Sequence, residues 1–229
     1  MPRNDYQKKL SDLRDDVLYM SEVVAERLRM GLDALEQKDE ELATEVIEGD
    51  GEINRMYLDL EQDCVDLLAL QQPVAGDLRF IAASFKIITD LERIADLATN
   101  LGGYAIDAQR DVFPDVDVQR LGEYTLDMLE GAMHAYSEES PAECRAVAES
   151  DEDLDAMCAA ASETVVRDLI ETDEFGGDVD PSDERIETLM QDVSRLLLTV
   201  RDVERIGDHA VNIAARTLYM IENDDELIY

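Results

Sequence analysis

Glu92, Asp96 and Asn100 stand four residues apart in the stretch DLERIADLATN (90–100). Glu204, Asp208 and Asn212 repeat that spacing in DVERIGDHAVN (202–212). On a helix this interval stacks three oxygen-bearing side chains along one face. Carboxylate and amide oxygens are hard donors, suited to Mg²⁺, Ca²⁺, Mn²⁺ or iron. The two stretches are identical at seven of 11 positions, including Asp90/Asp202, Glu92/Glu204, Arg93/Arg205 and Asp96/Asp208. A second pair of segments repeats at a different offset. EGDGEINRM (48–56) aligns with ESDEDLDAM (149–157), which places Asp50 on Asp151 and Asn54 on Asp155.

Spacing alone is weak in this chain. With 56 acidic residues among 229, about 13 acidic pairs four residues apart arise by chance. The signal is the duplication. A solvated acidic face, with Arg93 and Arg205 as ordinary ion-pair partners, explains any single pair equally well.

These residues must be positioned by helices. Leu10, Leu13, Val17, Met20, Val24, Leu28, Leu32 and Leu35 recur at steps of three and four, which predicts one amphipathic helix over 6–37. Asp39 is an N-cap for a second helix over about 40–71, ended by Pro73. A third runs from about 77 to 108. The break at Val112–Asp115 precedes a fourth over 116–138. Ser140-Pro141 caps and opens a fifth, reaching about 171. The segment 173–181, with paired glycines and a proline, reads as a loop. Ser182 caps a sixth helix that ends near 222. No stretch alternates with period two. The fold class is therefore all-α, with six long helices arranged as two tandem antiparallel three-helix bundles over 1–112 and 113–229.

If helices two and three turn back near Gln72–Pro73, Asp50 and Asn54 lie level with Asp96 and Glu92. If helices five and six turn near Phe175–Gly177, Asp151 lies near Asp202 and Glu149 near Glu204, in a register that the longer loop blurs by a turn. Such carboxylate gatherings require a cation or protons for compensation. His209 stands where the first copy has Leu97; a lone histidine there is more often a surface or partly buried residue than a ligand. Gly207, opposite Ala95, reads as a close helix-packing position.

The net charge is −36. That excludes the basic footprint of a nucleic-acid binder and disfavours direct contact with anionic membranes. The charge is spread through every segment, as in proteins of extreme halophiles, where salt screens self-repulsion. Cys64, Cys144 and Cys158 lack paired spacing, so a reducing compartment is expected. The start MPRNDYQKKL has no apolar signal region, and no run is long and apolar enough to span a membrane. Two Glu-x-x-His pairs, the mark of di-iron bundles, are missing: Gly131 and Ile206 precede His134 and His209 by three. Gly102-Gly103 and Gly176-Gly177 lack the lysine and hydroxyl of a phosphate loop.

QQPVAGDLR (71–79), followed by DLERIAD and repeated as DVERIGD, resembles the PhoU family of phosphate-transport accessory proteins over nearly the whole chain. The resemblance implies two three-helix bundles packed side by side and a cytoplasmic, non-enzymatic regulator. It implies metal-binding E(D)xxxD motifs, some of which hold multinuclear clusters. These carry over to Glu92/Asp96, Glu204/Asp208, Asp50/Asn54 and Asp151/Asp155, with Asp90 and Asp202 as further candidate metal ligands. The metal is left open among Fe, Mn, Mg, Zn and Ca. Asn54 departs from the family's usual Asp, and a neutral amide weakens a cation site there. The implied partners are the ATPase subunit of a phosphate ABC transporter, a signalling protein and a second copy in a homodimer, with the membrane reached only through the transporter. The alternatives are service to a Pit-type permease, or a metal-dependent phosphohydrolase or metal-storage protein.

Overall fold

The computed structural model describes residues 3–70, 74–108, 116–171 and 184–228. Six helices account for nearly all of them: α1 (Arg3–Gln37), α2 (Glu40–Leu70), α3 (Ala75–Asp107), α4 (Val118–Glu138), α5 (Pro141–Glu171) and α6 (Glu184–Glu222). No strand occurs among the described residues. The expected features at Gln71–Pro73, Val112–Asp115, 173–181 and Ser182, and the expected domain boundary at 112/113, lie outside the described residues.

Local chemistry explains the helix ends. Asp39 Oδ1 accepts from the backbone N–H groups of Glu41 and Leu42 at 3.0 Å each, satisfying two donors that the first turn leaves open. Ser140 Oγ accepts from Glu143 N at 3.4 Å. Before each cap the chain turns through a left-handed residue, Lys38 (φ 54) and Glu139 (φ 51). These two turns occupy equivalent positions in the repeat. Two helix starts differ from expectation. α3 begins at Ala75 rather than 77, because Val74 is extended and its carbonyl accepts from Leu78 N at 2.9 Å. α4 begins at Val118 rather than 116, because Asp117 caps it by accepting from Arg120 N at 3.0 Å.

Each half is a three-helix unit: α1, α2 and α3 pack together, as do α4, α5 and α6. The halves join through α3 against α6 and α1 against α4. Across the first seam Asp90 meets His209, Asn100 meets Asp202, and Asp107 meets Arg195. As α3 advances α6 retreats, so the two are antiparallel. Arg14 with Glu139 (2.5 Å) and Arg29 with Glu130 (3.0 Å) show that α1 and α4 are antiparallel too. The repeats are therefore related by an approximate twofold axis that passes close to Ile94 and Ile206. One apolar core crosses this axis, built from Leu, Ile, Val, Met and Ala with a few aromatics. Phe80 and Tyr136 stack across the halves at 6.3 Å, and Tyr136 Oη shares a 2.8 Å hydrogen bond with Ser84 Oγ. No helix of the described residues is long and apolar enough to cross a membrane.

Candidate metal centres

Antiparallel pairing of α2 with α3 brings Asp50, Asn54, Glu92 and Asp96 together. Asn54 Nδ2 donates to Asp50 Oδ2 at 2.7 Å. Burial pushes the Glu92 carboxyl above its ordinary range, and Asp96 adds to the rise; Arg93 opposes it, and Asp50 also contributes. Asp96 is raised by burial and then by Asp50. Like charges held in a partly desolvated place resist ionisation together.

The second half repeats the arrangement with one more carboxylate. Asp151 and Asp155 come from α5, Glu204 and Asp208 from α6. Burial pushes Asp151 up to about 6, helped by Asp155, Asp208 and Glu204. Glu204 and Asp208 are raised first by burial and then by Asp155. Asp151 Oδ1 is buried and has no hydrogen-bond partner.

The expected register of this half needs correction. Asp151 faces Glu204 and Asp208, not Asp202, and Glu149 is exposed on α5. The reason is helical geometry. Asp202 and Glu204, two residues apart, point to nearly opposite faces of α6, so only one of them can look toward α5. Glu204 does. Asp202 looks toward α3, where it is fully buried. It accepts from Tyr104 Oη at 2.8 Å, Asn100 Nδ2 at 3.2 Å and an Arg201 guanidinium nitrogen at 3.2 Å. Asp90, its counterpart in α3, is also buried and lies 2.9 Å from His209 Nδ1. Asp90 and Asp202 thus stand on the seam between the halves, apart from the two carboxylate clusters.

The donor sets differ in how far the protein satisfies them. In the first cluster the Asn54 amide already satisfies one oxygen of Asp50 by a hydrogen bond. In the second, four carboxylates face each other and one oxygen is orphaned. Among the described residues, no three His, Cys, Asp or Glu side chains are drawn tightly enough around a point to hold an ion as they stand. Binding there would require the carboxylates to close in. The residue types fit a hard, oxygen-seeking cation. Cys158 adjoins the second cluster, yet its thiol is pushed up to about 12 by burial, Glu204 and Asp155, so it offers no thiolate to a soft metal.

Gly207 serves packing. A Cβ at that position would come within 2.2 Å of Leu154 Cδ2, so its bare backbone lets α5 and α6 approach beside the second cluster. His209 is buried and acts through Asp90 rather than as a surface residue. Sequence periodicity did not reveal this contact, because nothing in either stretch marks which face of α6 meets α3. A cleft of about 320 Å³ near the twofold axis, which sequence reasoning also missed, is lined by Asp50, Asp96 and Asn100 with Arg93 and Arg205.

The PhoU domain model matches residues 17–105 and 118–217. The chain is 32% identical over 223 residues to phosphate-specific transport system accessory protein PhoU homolog 1 of Methanothermobacter thermautotrophicus, covering 96% of this chain and 95% of that relative. It is 29% identical over 229 residues to phosphate-specific transport system accessory protein PhoU of Escherichia coli, covering 96% of this chain and 86% of the relative. The crystal structure of PhoU from Pseudomonas aeruginosa superposes with a TM-score of 0.86 at 29% identity, over 96% of this chain and 100% of that one. The phosphate transport system regulatory protein PhoU from Streptococcus pneumoniae has the same fold, with a TM-score of 0.83 at 23% identity over 96% and 98% of the two chains. Two matched repeats, a full-length likeness in sequence and a shared six-helix architecture leave one conclusion: the chain belongs to the PhoU family.

Proposed function

We propose that this chain is a non-catalytic accessory protein of phosphate uptake, working in the cytoplasm beside a phosphate ABC transporter and relaying the state of that transporter to control of phosphate-starvation genes. The observation that carries the reading is full-length similarity to relatives named as accessory proteins of a phosphate-specific transport system. In this reading the transporter's ATPase subunit is the direct partner. The charge of −36 favours a basic surface on that partner.

The second carboxylate cluster is the better cation site. Asp151, Asp155, Glu204 and Asp208 would hold a hard divalent or ferric ion, with the orphaned Asp151 oxygen as the first donor available. Asp50, Glu92 and Asp96 would hold a weaker one, because Asn54 replaces a charge. A bound cation would relieve the mutual repulsion that raises these carboxyls and would brace α5 against α6. The ion supplies charge neutralisation in this scheme, not turnover.

The test joins a pull-down to an assay. The full chain, immobilised at high salt, should retain the ATPase subunit of a phosphate ABC transporter and should release no phosphate from phosphomonoesters in Mn²⁺. Capture of a Pit-type permease instead would reassign the transporter. Hydrolysis that disappears in Glu204→Ala/Asp208→Ala would replace the accessory reading with an enzyme. Elemental analysis of protein purified without chelator, then loaded with Mn²⁺ or Fe³⁺, addresses the metal separately.

A further inference from the structure

Arg93 and Arg205 are counterparts in the two repeats, and both line the cleft near the twofold axis. Their surroundings are unusual for so acidic a chain. Arg93 is exposed and its charge pulls on the neighbouring Glu92, yet it makes no hydrogen bond or close ion pair with any described residue, although acidic residues outnumber basic ones 56 to 20. Arg205 leans on Asp202 at 3.5 Å, with half its side chain exposed. Thr99 Oγ1, on the same wall, is buried and unpartnered. Asn100 also lines the cleft, with one amide hydrogen given to Asp202 at 3.2 Å and the other left over. Two acceptors, Asp50 from α2 and Asp96 from α3, line the same cleft. A cleft of about 320 Å³ is roomy beside the ~30 Å³ share of one water.

We propose that this cleft binds inorganic phosphate, held between Arg93 and Arg205 and checked for its proton by Asp50 and Asp96. A guanidinium presents a planar fork of N–H donors that matches two oxygens of a tetrahedral anion. The Thr99 hydroxyl and the remaining N–H of the Asn100 amide add neutral donors. The two carboxylates would repel a fully deprotonated anion. They accept a hydrogen bond from an oxyanion that still carries a proton. Phosphate at neutral pH keeps at least one P–OH; sulfate keeps none. The carboxylates therefore act as the rejecting element of the site, and such elements set specificity as much as attraction does. Because Asp50 and Asp96 also belong to the first carboxylate cluster, a phosphate here and a cation there would neutralise each other, which couples the two sites. The choice of phosphate as the physiological anion rests on the transport reading above; the ligand class, a protonated tetrahedral oxyanion, rests on the cleft.

Titration calorimetry of the full chain with inorganic phosphate, at high salt and with a chelator present, tests the proposal. Saturable binding of one phosphate per chain is expected, with sulfate at least ~10-fold weaker. Arg93→Gln, an exposed change that leaves helical circular dichroism intact, should weaken phosphate at least ~10-fold. Asp96→Asn should cut the preference for phosphate over sulfate. Equal binding of the two anions overturns the proposal, as does phosphate binding that Arg93→Gln leaves unchanged. Binding that appears only with Mn²⁺ and ignores Arg93→Gln also overturns it, since the anion then sits on the metal. Loss of transporter capture with phosphate binding intact would count against the transport reading alone.

Discussion

His209 Nδ1 lies 2.9 Å from Asp90 Oδ1 across the seam between α3 and α6, and both side chains are buried. The contact breaks the twofold resemblance of the halves. Where α6 offers His209 to Asp90, α3 has Leu97 and instead offers Asn100 and Tyr104 to Asp202. His209→Leu would copy the first repeat and strand a buried carboxylate. It should destabilise the fold by about 2–4 kcal/mol. His209→Leu combined with Asp90→Leu should recover much of that loss, because a matched apolar pair leaves nothing unsatisfied. Urea midpoints of the two singles and the double close the cycle. A double variant no more stable than the worse single would show that the pair is not the source of the loss.

Asp151 makes the stability of the cation-free protein depend on pH in a specific direction. Its folded carboxyl titrates near 6, against an ordinary value of 3.8. The folded state therefore holds this proton more tightly than the unfolded chain does. The corresponding stability is present below pH ~4 and is lost as pH rises through about 6. Asp151→Asn removes the loss. At pH 8 in chelator the variant should melt about 2–4 °C above the parent, an allowance of roughly 1 kcal/mol after solvent screening. At pH 4 the two should coincide. Adding Mn²⁺ at pH 8 should raise the parent and close the gap. Parallel melting curves across the whole pH range would remove Asp151 from the account.

Much of the fold could be read in the chain, because the information was local. Steps of three and four among Leu10, Leu13, Val17 and Met20 defined a buried stripe, and all four are buried. Asp39 and Ser140 marked helix starts by their ability to cap. The meeting of Asp50 with Glu92 and Asp96 followed from the few residues that separate Leu70 from Ala75. The second half lacked such a constraint. Twelve residues separate Glu171 from Glu184, and counting back from an assumed midpoint left Asp151 about one turn from its place, the width by which the longer loop blurs the register. Asp90 and Asp202 illustrate a different limit. Their place in each repeated stretch suggested kinship with the carboxylate stripes. Their actual partners come from the far half of the molecule, through a packing choice that no local pattern encodes. That Arg93 and Arg205 line one cleft is likewise a property of the assembled molecule.

The left-handed turn at Lys38 (φ 54) is a place where the chain carries avoidable strain. A residue with a Cβ costs roughly 1 kcal/mol in this conformation, and glycine adopts it freely. Lys38→Gly removes that strain together with the interaction its side chain makes, so the net gain should be at most about 0.5 kcal/mol, with no change in helix content. Gly207→Ala should act in the opposite sense. The new methyl meets Leu154 Cδ2 at 2.2 Å, so Leu154 must move or α5 must shift, at a cost of about 1–3 kcal/mol. Differential scanning calorimetry at fixed salt reads both. A neutral Gly207→Ala would mean that Leu154 has room to turn away, and that close approach of α5 and α6 is not needed at the second cluster.

The last prediction concerns the charge as a whole. The described ion pairs are mostly exposed, such as Arg167 with Glu163 at 2.6 Å and Arg29 with Glu26 at 2.8 Å. Each contributes ~0–1 kcal/mol, and salt weakens them. Set against them is a net charge of −36, whose self-repulsion also weakens as the screening length falls from ~10 Å at 0.1 M salt to ~3 Å at 1 M. Repulsion is the larger account, because few carboxylates have a basic partner available. The melting temperature should therefore climb between 0.1 and 2 M KCl, by roughly 10 °C or more if screening recovers a few kcal/mol. Sucrose raised to the same osmolality should give a smaller rise, since it excludes itself from the surface without screening charge. A melting temperature that stays level in KCl would show that the acidic surface is not adapted to salt.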